Sequence, residues 1–270
     1  MEIAVIVTTY NRPDALAAVL DGYCAQRDRH FRIVVADDGS GPETAAVVAR
    51  YRQRAAPAID HVWQEDRGFR AGGIRNRALA LTKVDYVIFT DGDCVPLPDF
   101  VAGHRRLAER GWCIAGNRIL LGEKPSRRVL DGQLRVHAWS MGKWLHAFLK
   151  GEINRFLPVL PLPLPGWLRK LPAGRWQGVM TCNLSAWRDD LLAVNGFDEE
   201  YEGWGLEDSD LTIRLLHSGV RRKSGRFAAP VIHLWHPEND RASLEANRRR
   251  LDALNRSREI RASRGMDQYC

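Results

Sequence analysis

Cysteine is scarce in this chain and is not arranged as a framework. Its five cysteines are an odd number and include no C-x-x-C pair, which argues against a disulfide scaffold and against a zinc ribbon. A reducing compartment is the simpler expectation. No charged leader followed by an apolar stretch and a small-residue cleavage site comes before the first strand-like run, so we expect a cytoplasmic protein.

A long apolar run is also missing. The most lipid-like stretch, residues 156–171, contains four prolines and is too short and too interrupted for a spanning helix. If this stretch meets a bilayer, we expect it to lie on the surface.

Two glycine-rich phosphate-binding motifs are absent. A dinucleotide-binding fold would place G-x-G-x-x-G after the first strand, where this chain has TTYNRP, and no G-x-x-x-x-G-K-[ST] occurs anywhere in the sequence. The sequence therefore excludes the two commonest nucleotide-binding classes, the dinucleotide-binding fold and the P-loop proteins.

The first hundred residues alternate between short apolar runs and amphipathic stretches. The runs IAVIVTT, FRIVVADDGS, HVWQE and DYVIFTDGD are separated by helix-compatible segments at 13–26, 43–54 and 73–81. This pattern predicts βαβ units around a buried parallel sheet, and hence an α/β fold. Further on, we expect a helix over 99–110, a strand WCIAGNRIL, a strand and helix within GVMTCNLSAWRDDLLAVNGFD, and helices over 207–218 and 241–264.

Three of the predicted strands end in polar residues, in the pairs Thr8 and Thr9, Asp37 and Asp38, and Asp91 and Asp93. Ligands of open parallel sheets bind beyond the carboxyl ends of the strands. An acidic edge binds a diphosphate only through a bridging divalent cation, because carboxylate and phosphate otherwise repel each other.

Four motifs in register, VIVTTYNRP, VVADDGS, TDGDC and GWGLEDSDL, resemble the family 2 glycosyltransferases with a GT-A fold. The longer stretches QEDRGFRAGGIRNRAL and VNGFDEEYEGWGLEDSDL are similar to the members related to bacterial chondroitin polymerase, and the GWG-ED stretch is similar to the β-1,4-galactosyltransferases. The resemblance runs from residue 3 to about 237, with an interruption in the centre. It implies a Rossmann-like, mostly parallel sheet with flanking helices and a C-terminal part that binds the acceptor.

On the donor side, the resemblance implies that Asp38 binds the nucleotide base and that Asp91, in the DxD motif, faces the ribose and metal-bound waters. A carboxylate that accepts the N3–H of uracil favours a uridine donor. The alternative for Asp38 is an ordinary helix N-cap region, and that for the DGD sequence is a solvated acidic turn.

Glycine at position 92 is expected to let a ligand approach the backbone. The full predicted nucleotide-sugar set is Thr8, Tyr10, Arg12, Asp38, Arg75, Asn76, Asp91 and Gly92. Of the nearby arginines, Arg67 and Arg70 are weaker candidates for the diphosphate.

For the metal, the resemblance implies Asp93 and His236 as ligands, with His233 as a further candidate. A lone histidine is more often a structural residue whose ring nitrogens are hydrogen-bonded within the protein. The three-residue spacing alone therefore does not show that either histidine binds a metal. If both imidazoles bind, the site is softer than a carboxylate-only one, which favours Mn²⁺ over Mg²⁺.

On the acceptor side, the resemblance implies that Asp208 deprotonates the attacking hydroxyl and that Glu207 binds the acceptor. Acidic residues in a first helical turn are also expected from the helix dipole alone. One carboxylate base suits displacement with inversion, since no second nucleophilic carboxylate is needed. Asn183 and Trp204 are the remaining acceptor candidates, and packing is the alternative for each.

The predicted organisation is one glycosyltransferase domain. It comprises a nucleotide-sugar half (1–122), an insertion or lid (123–175), an acceptor and catalytic-base half (176–240) and a basic C-terminal helix and tail (241–270). Residues 118–175 contain 11 basic and 3 acidic residues, which accounts for the whole net charge of +7. Tryptophans interleave with these basic residues, an arrangement typical of membrane interfaces and of anionic saccharide sites.

We therefore predict a metal-dependent transferase with a nucleotide-sugar donor and a glycan or lipid-linked acceptor. Peripheral attachment of 123–175 to an anionic membrane, at its inner face, is a further hypothesis, with a mobile cationic lid as its alternative. A nucleotidyltransferase is the rival enzyme, and a non-catalytic membrane- or nucleic-acid-binding module is the non-enzymatic alternative. Nucleic acid is not an expected partner.

Overall fold

The computed structural model describes residues 1–54, 56–237 and 240–269. Their strands are β1 (Ile3–Thr9), β2 (Arg32–Asp37), β3 (Ala58–Trp63), β4 (Tyr86–Asp91), β5 (Cys94–Pro96), β6 (Trp112–Ala115), β7 (Arg118–Leu120), β8 (Leu184–Trp187), β9 (Arg221–Ser224) and β10 (Val231–His233). Their α-helices are α1 (Pro13–Cys24), α2 (Pro42–Arg52), α3 (Ala71–Leu81), α4 (Phe100–Leu107), α5 (Glu123–Leu130), α6 (Met141–Leu149), α7 (Gly166–Arg169), α8 (Arg188–Ala193), α9 (Glu207–His217) and α10 (Leu244–Arg256). The predicted alternation of strands and helices in the first hundred residues is confirmed.

Seven strands form one mixed sheet in the order β3-β2-β1-β4-β8-β6-β9. Every neighbouring pair is parallel except the two that include β8. The predicted α/β fold with a mostly parallel central sheet is therefore confirmed. The strand order reverses between β1 and β4, and such a reversal opens a crevice at the carboxyl ends of the strands.

Side-chain alternation along β1 divides the core into two layers. Ile3, Val5 and Val7 pack in the layer that includes α1, whereas Ala4 and Ile6 pack in the layer that includes α3. Both faces of the strand are buried, as expected for a parallel sheet covered by helices on both sides. Each large aliphatic side chain buried in this way contributes about 1.5–3 kcal/mol.

A second, three-stranded sheet has the order β5-β10-β7. The prediction of one continuous strand over WCIAGNRIL is wrong, because the chain leaves the large sheet after β6 and enters the small one as β7. Gly116 N donates to the Asn183 carbonyl (2.8 Å), and a Cβ on Gly116 would lie 2.2 Å from the Asn183 side chain. Close packing against Asn183 therefore requires glycine at the point between the two strands.

Residues 123–175 form α5, α6 and α7, where the sequence indicated no regular pattern. The segment is hydrogen-bonded to the small sheet: Leu120 N donates to Asn154 Oδ1 (2.9 Å), and Trp235 N donates to Ser126 Oγ (2.8 Å). The α5–α6 part of the segment is therefore joined to the end of β7 and to the residues that follow β10.

The C-terminal helix is shorter than the predicted 241–264 and occupies Leu244–Arg256 as α10. Its Leu251 and Leu254 pack against Ile213 of α9. Within the described ranges, no helix is both long enough and apolar enough to cross a lipid bilayer.

Candidate active site

The carboxyl ends of β1, β2 and β4 lie side by side, as predicted. Thr8 is the register partner of Ala36 on one side and of Asp91 on the other, and Thr9 is the partner of Asp37. The polar residues that end the three strands are therefore brought to one edge of the sheet.

Asp38 lies at this edge and is 4% exposed. Its Oδ1 accepts from Gln64 Nε2 (2.5 Å) and its Oδ2 accepts from Arg70 N (2.8 Å). Burial raises the pKa of the Asp38 carboxyl, and these hydrogen bonds oppose the rise. Asp38 thus anchors the loop between β3 and α3, a contact that the sequence did not indicate, and its role in base recognition stays a prediction.

Tyr10 and Arg12 lie in the loop after β1. The half-exposed Tyr10 donates its hydroxyl to Asp66 Oδ2 (2.8 Å), and Arg12 Nε lies 3.4 Å from Asp14 Oδ1. Asn11 N donates to Ser40 Oγ (2.8 Å), which ties this loop to the one after β2. Both residues, which the sequence predicted to bind the nucleotide sugar, therefore lie on the rim of the crevice.

Arg75 is the central contact of the site. It is buried, and it donates from Nε to Thr8 Oγ1 (2.9 Å), from Nη2 to Asp91 Oδ1 (3.0 Å) and from Nη1 to Glu207 Oε1 (3.2 Å). One guanidinium therefore joins the end of β1, the DxD aspartate and the first turn of α9. Burial raises the pKa of Asp91 to about 6, although Arg75 opposes this rise. The sequence predicted Arg75 for a diphosphate, and the structure adds this bridging role.

Asn76, in contrast, does not reach the crevice. It is fully buried, its Nδ2 donates to the Phe197 carbonyl (2.8 Å) and to Glu199 Oε1 (2.9 Å), and its Oδ1 accepts from Phe197 N (2.8 Å). Its polar atoms hold α3 against the segment before α9. The placement gives no support to the prediction that Asn76 binds the donor, and favours a structural role.

The glycine of the DxD motif is required by packing. A Cβ at Gly92 would lie 2.9 Å from Thr9 Oγ1 and 3.1 Å from the Thr8 carbonyl oxygen, inside normal van der Waals contact. Gly92 N also donates to that carbonyl (2.7 Å). The observed reason for glycine is thus the close approach of β1, where the sequence suggested the approach of a ligand.

Asp93 faces the two histidines. Asp93 lies in the turn between β4 and β5, and its Oδ2 lies 3.3 Å from His236 Nε2 and 3.8 Å from His233 Nε2. Two ligands of one octahedral cation at about 2.1 Å lie roughly 3 Å apart. The Asp93–His236 pair therefore matches two ligands of one divalent cation, and the ligand atoms of Asp93, His233 and Cys94 also lie close enough together to hold one.

The orientation of His236 supports this fit. Its Nδ1 lies 2.6 Å from the Pro237 carbonyl oxygen, which leaves Nε2 directed at Asp93. Such an outer hydrogen bond is the usual way in which a protein fixes a ligating imidazole. Burial lowers the pKa of His233, which keeps that ring in the neutral form that metals require.

Two thiols that the sequence did not single out lie behind the aspartates. Cys94 Sγ is 3.5 Å from Asp93 Oδ1, and ligand atoms of Asp91, Cys94 and Cys182 lie within 4.8 Å of one another. Both cysteines are buried, and the pKa of the Cys94 thiol is raised well above its usual range by the contact with Cys182 and by burial. The Cys94 thiol is therefore held in its protonated form, and both cysteines lie next to the site.

Asp208 and Glu207 open α9 after a turn that includes Leu206 at φ 76°. Asp208 Oδ2 accepts from Thr181 N (3.3 Å) and its Oδ1 from Ser209 N (2.9 Å). Burial and then the neighbouring Glu207 raise the pKa of Asp208 to about 7. A carboxylate that titrates near neutral pH is matched to work as a general base.

Asn183 lies in the core. It is 1% exposed, donates to the carbonyl oxygens of Asn117 (3.1 Å) and Ala229 (2.7 Å), and its Oδ1 lies 3.0 Å from His104 Nε2. Burial lowers the pKa of His104 to about 4, so this is a neutral buried network. The placement favours packing, the alternative reading of Asn183, over acceptor binding.

Trp204 lies in the turn before α9 and is partly exposed. The guanidinium of Arg241 lies 5.6 Å from the centre of its ring. One face of the indole is therefore covered by a cation, and stacking of a sugar on the other face stays a prediction.

Two family models match this chain. The model of glycosyl transferase family 2 matches residues 4–157, and the model described as the N-terminal domain of galactosyltransferase matches residues 170–237. The first match covers more than half of the chain and extends through α5 and α6.

Two relatives illustrate the similarity. The chain is 30% identical over 254 residues to validoxylamine A glucosyltransferase of Streptomyces hygroscopicus subsp. jinggangensis, covering 84% of this chain and 55% of that protein. It is 24% identical over 265 residues to the chondroitin synthase of Escherichia coli, covering 89% and 36%. The chain thus spans about half or less of the length of these relatives.

Among solved structures, the mannosyltransferase PcManGT from Pyrobaculum calidifontis, in complex with GDP-Man and Mn²⁺, superposes with a TM-score of 0.59 at 20% identity. The superposition covers 94% of this chain and 62% of that one. This likeness confirms the predicted GT-A fold.

Proposed function

The chain belongs to glycosyl transferase family 2, and from that premise we propose that it transfers a sugar from a nucleoside diphosphate donor to a hydroxyl of a glycan or glycolipid acceptor. The observation that carries the proposal is the Arg75 bridge, which joins Asp91 at the donor edge to Glu207 beside Asp208. Donor-binding and proton-accepting groups are thereby held in one crevice.

We propose that the nucleoside lies against the ends of β1 and β2, between Thr8 and Asp38, with Tyr10 and Arg12 at its rim. A uridine donor is favoured, because the N3–H of uracil can donate to the Asp38 carboxylate, whereas cytosine lacks that proton. Both Asp38 oxygens already accept one hydrogen bond each. A carboxylate offers about four acceptor positions, so capacity for the base remains.

Asp93, His236 and His233 would hold the divalent cation, and His236 is oriented for this by Pro237. When bound, the cation would neutralise the charge that develops on the leaving diphosphate. Two imidazoles beside one carboxylate favour Mn²⁺ over Mg²⁺. That PcManGT was solved with Mn²⁺ is consistent with this choice.

Asp208 would accept the proton of the acceptor hydroxyl as its oxygen attacks the anomeric carbon and the bond to the diphosphate breaks. Glu207 accepts from the Arg75 guanidinium, whereas Asp208 accepts from the backbone N–H groups of Thr181 and Ser209 and keeps further acceptor positions for the hydroxyl proton. A single displacement of this kind inverts the anomeric configuration, since no covalent sugar intermediate forms. Arg75 acts as a positioning residue that keeps Asp91 and Glu207 in place.

Calorimetry with nucleoside diphosphates and nucleotide sugars tests the proposal, with Mn²⁺, with Mg²⁺ and with chelator. We expect binding of a uridine diphosphate sugar that requires the cation and that Asp93→Ala abolishes. Asp189→Ala, at an exposed surface ion pair, is the matched control and should bind as the native chain does. Binding of no nucleoside diphosphate under any condition would refute the proposal.

A nucleotidyltransferase would instead consume a nucleoside triphosphate and release pyrophosphate. A pyrophosphate assay with sugar phosphates separates this rival from glycosyl transfer. Family membership favours glycosyl transfer. A cytoplasmic location stays a prediction.

A further inference from the structure

Residues of both α5 and α6 line a cavity of about 160 Å³, and four basic side chains are part of its lining. Lys143, His146 and Lys150 belong to α6 and to the residue just after it, whereas Arg128 belongs to α5. The three α6 positions are separated by three and four residues, which places them on one face of the helix. Cationic side chains from two separate helices therefore converge on one small volume, the basic cavity.

The cations of the basic cavity have no acidic partner close by. Among the described residues, no carboxylate forms an ion pair with Arg128, Lys143 or Lys150, and Glu152 is the acidic residue of the lining. With His146 neutral, the lining therefore carries a net charge of +2. Like charges held close together repel each other, and an anion placed between them removes this cost. The charge of the lining therefore favours an anionic ligand.

Trp139 forms an aromatic wall of the basic cavity. Its ring packs against the buried Trp144 ring, with centroids 4.6 Å apart, and the Lys143 ammonium lies 5.2 Å from its ring centre. The indole Nε1 is buried and has no hydrogen-bond partner within the described part of the chain. An indole N–H can only donate, and a buried donor without a partner is destabilising. An oxygen acceptor is therefore the partner that Trp139 lacks.

The backbone holds the two helices in a fixed relation. Gly122, the residue before α5, donates from N to the Glu152 carbonyl (2.7 Å), and Leu121 forms a bridge with Ile153. Leu121 N also donates to the His233 carbonyl (2.9 Å), which fastens this pair of segments to β10. The start of α5 and the end of α6 are thus paired before any ligand binds. A site arranged in advance in this way loses less conformational entropy on binding.

We propose that the basic cavity binds a phosphate group, either free or carried by a sugar. Its volume exceeds the about 30 Å³ that one water molecule occupies in the liquid and admits one phosphate. Ammonium, guanidinium and indole N–H groups are donors, and phosphate oxygens are strong acceptors for all of them. A phosphate monoester carries a charge of about −1.5 to −2 at pH 7, which matches the charge of the lining, whereas a carboxylate would neutralise half of it.

The basic cavity is separate from the crevice of the candidate active site. Its lining includes no residue of the predicted nucleotide-sugar, metal or acceptor sets. Phosphate binding here therefore requires neither the cation nor the donor, and it can be measured without either of them.

Calorimetric titration with inorganic phosphate, in the presence of chelator and at low salt, tests the site. We expect saturable binding by the native chain. The triple variant Arg128→Gln, Lys143→Gln, Lys150→Gln should bind phosphate more weakly by a factor on the order of ten or more, because hydrogen bonds from charged donors are the strong ones. These three side chains are exposed, so the variant is expected to fold, and circular dichroism verifies this.

The matched control removes the same charge elsewhere. Lys83, Lys124 and Arg248 are exposed, and none of them lines the basic cavity. Lys124 belongs to α5, the helix that also carries Arg128. The control Lys83→Gln, Lys124→Gln, Arg248→Gln should bind phosphate as the native chain does.

Trp139→Phe tests the indole donor without a change of charge. Phenylalanine keeps an aromatic ring but lacks the N–H, so we expect phosphate binding to weaken about two- to tenfold. Trp167→Phe, at an exposed tryptophan on α7 outside the cavity, is its control and should have no effect. Unchanged affinity of Trp139→Phe would contradict a contact between phosphate and Nε1.

Glucose 1-phosphate separates the two sources of the phosphate group. Tighter binding of glucose 1-phosphate than of inorganic phosphate would support a sugar phosphate as the ligand, with the ring beside Trp139. Equal affinity would support recognition of the phosphate alone. Acetate at the same ionic strength should bind more weakly than either, because it carries a single charge.

Two outcomes would overturn the proposal: no binding of either phosphate compound to the native chain, or equal phosphate binding by the triple variant and its control. The second outcome would place the phosphate elsewhere on the chain. Calorimetry with nucleoside diphosphates and the cation, on the same variants, keeps this result separate from the proposed function. The triple variant should bind the donor as the native chain does, since its substitutions lie outside the crevice.

Discussion

Replacement of Asp208 by asparagine should abolish transfer and, at the same time, stabilise the fold above neutral pH. Burial and the neighbouring Glu207 raise the pKa of this carboxyl to about 7, from an ordinary value of 3.8. Because its folded pKa is the higher one, ionisation weakens the native state as pH rises from about 4 to about 7, and the loss is complete above that range. A difference of roughly 3 pKa units corresponds to about 4 kcal/mol.

Asparagine removes this penalty but disturbs the hydrogen bonds from Thr181 N and Ser209 N, since only one of its side-chain atoms accepts. Each disturbed bond is worth about 1 kcal/mol. We therefore expect Asp208→Asn to be about 2 kcal/mol more stable than the native chain at pH 8, which raises Tm by roughly 4–8 °C. At pH 5 the penalty is only about 1.5–2 kcal/mol, because the native carboxyl is protonated while the unfolded one is ionised. The two disturbed hydrogen bonds offset this amount, so the gain should vanish.

The measurement is urea and thermal unfolding of both proteins with chelator, at pH 5 and pH 8. Asp189→Asn, at an exposed carboxylate, is the control and should change stability by less than about 0.5 kcal/mol at either pH. An equal effect of Asp208→Asn at both pH values would refute the inference that ionisation of Asp208 destabilises the folded chain.

Transfer assays complete the test of Asp208. The native rate should rise with pH through about 7, because the base acts only when it is ionised. Asp208→Asn should bind the donor normally and lose about 10²–10⁴-fold in kcat. Near-normal turnover by this variant would mean that another group accepts the proton.

Three other substitutions test the remaining parts of the site. Arg75→Met leaves the Asp91 and Glu207 carboxylates unpaired and should destabilise the chain by about 3–5 kcal/mol in urea unfolding. Arg75→Lys keeps the charge and should recover part of the lost stability. A loss below about 1 kcal/mol for Arg75→Met would contradict the role of Arg75 in joining the two carboxylates. His236→Ala should weaken Mn²⁺ binding at least about tenfold in calorimetry, and unchanged affinity would exclude it as a ligand. Asn183→Ala should lose about 2–3 kcal/mol of stability, because buried carbonyls lose their donors, while donor and acceptor KM stay unchanged; a selective rise in acceptor KM would restore its predicted contact with the acceptor.

Local patterns in the sequence were sufficient for the fold and for the acidic edge of the sheet. A buried parallel strand must be apolar throughout, and its carboxyl end must be polar where it meets a crevice. IAVIVTT and DYVIFTDGD satisfy both requirements, so β1 and β4 and the positions of Thr8 and Asp91 could be predicted without a structure. The order of the four motifs was likewise sufficient to predict the family.

Helix α6 illustrates where such patterns fail. Its apolar residues form one broad stripe opposite Lys143 and His146, and the sequence pattern does not say which part of that stripe meets the core. Only the packing of Trp144 and Ala147 against the core distinguishes the covered face from the exposed one.

Tertiary structure alone decided which polar side chains face the crevice. Arg75 and Asn76 are neighbours in sequence, yet successive residues of a helix point in different directions, so one bridges the site and the other is buried against Phe197. Asp93 and His236 are 143 positions apart in the sequence (236 − 93), and the small sheet pairs β5 with β10 to bring them together. Residue types and strand ends are local properties that a sequence carries directly, whereas the direction of a side chain and its distant partner are set by how the elements pack.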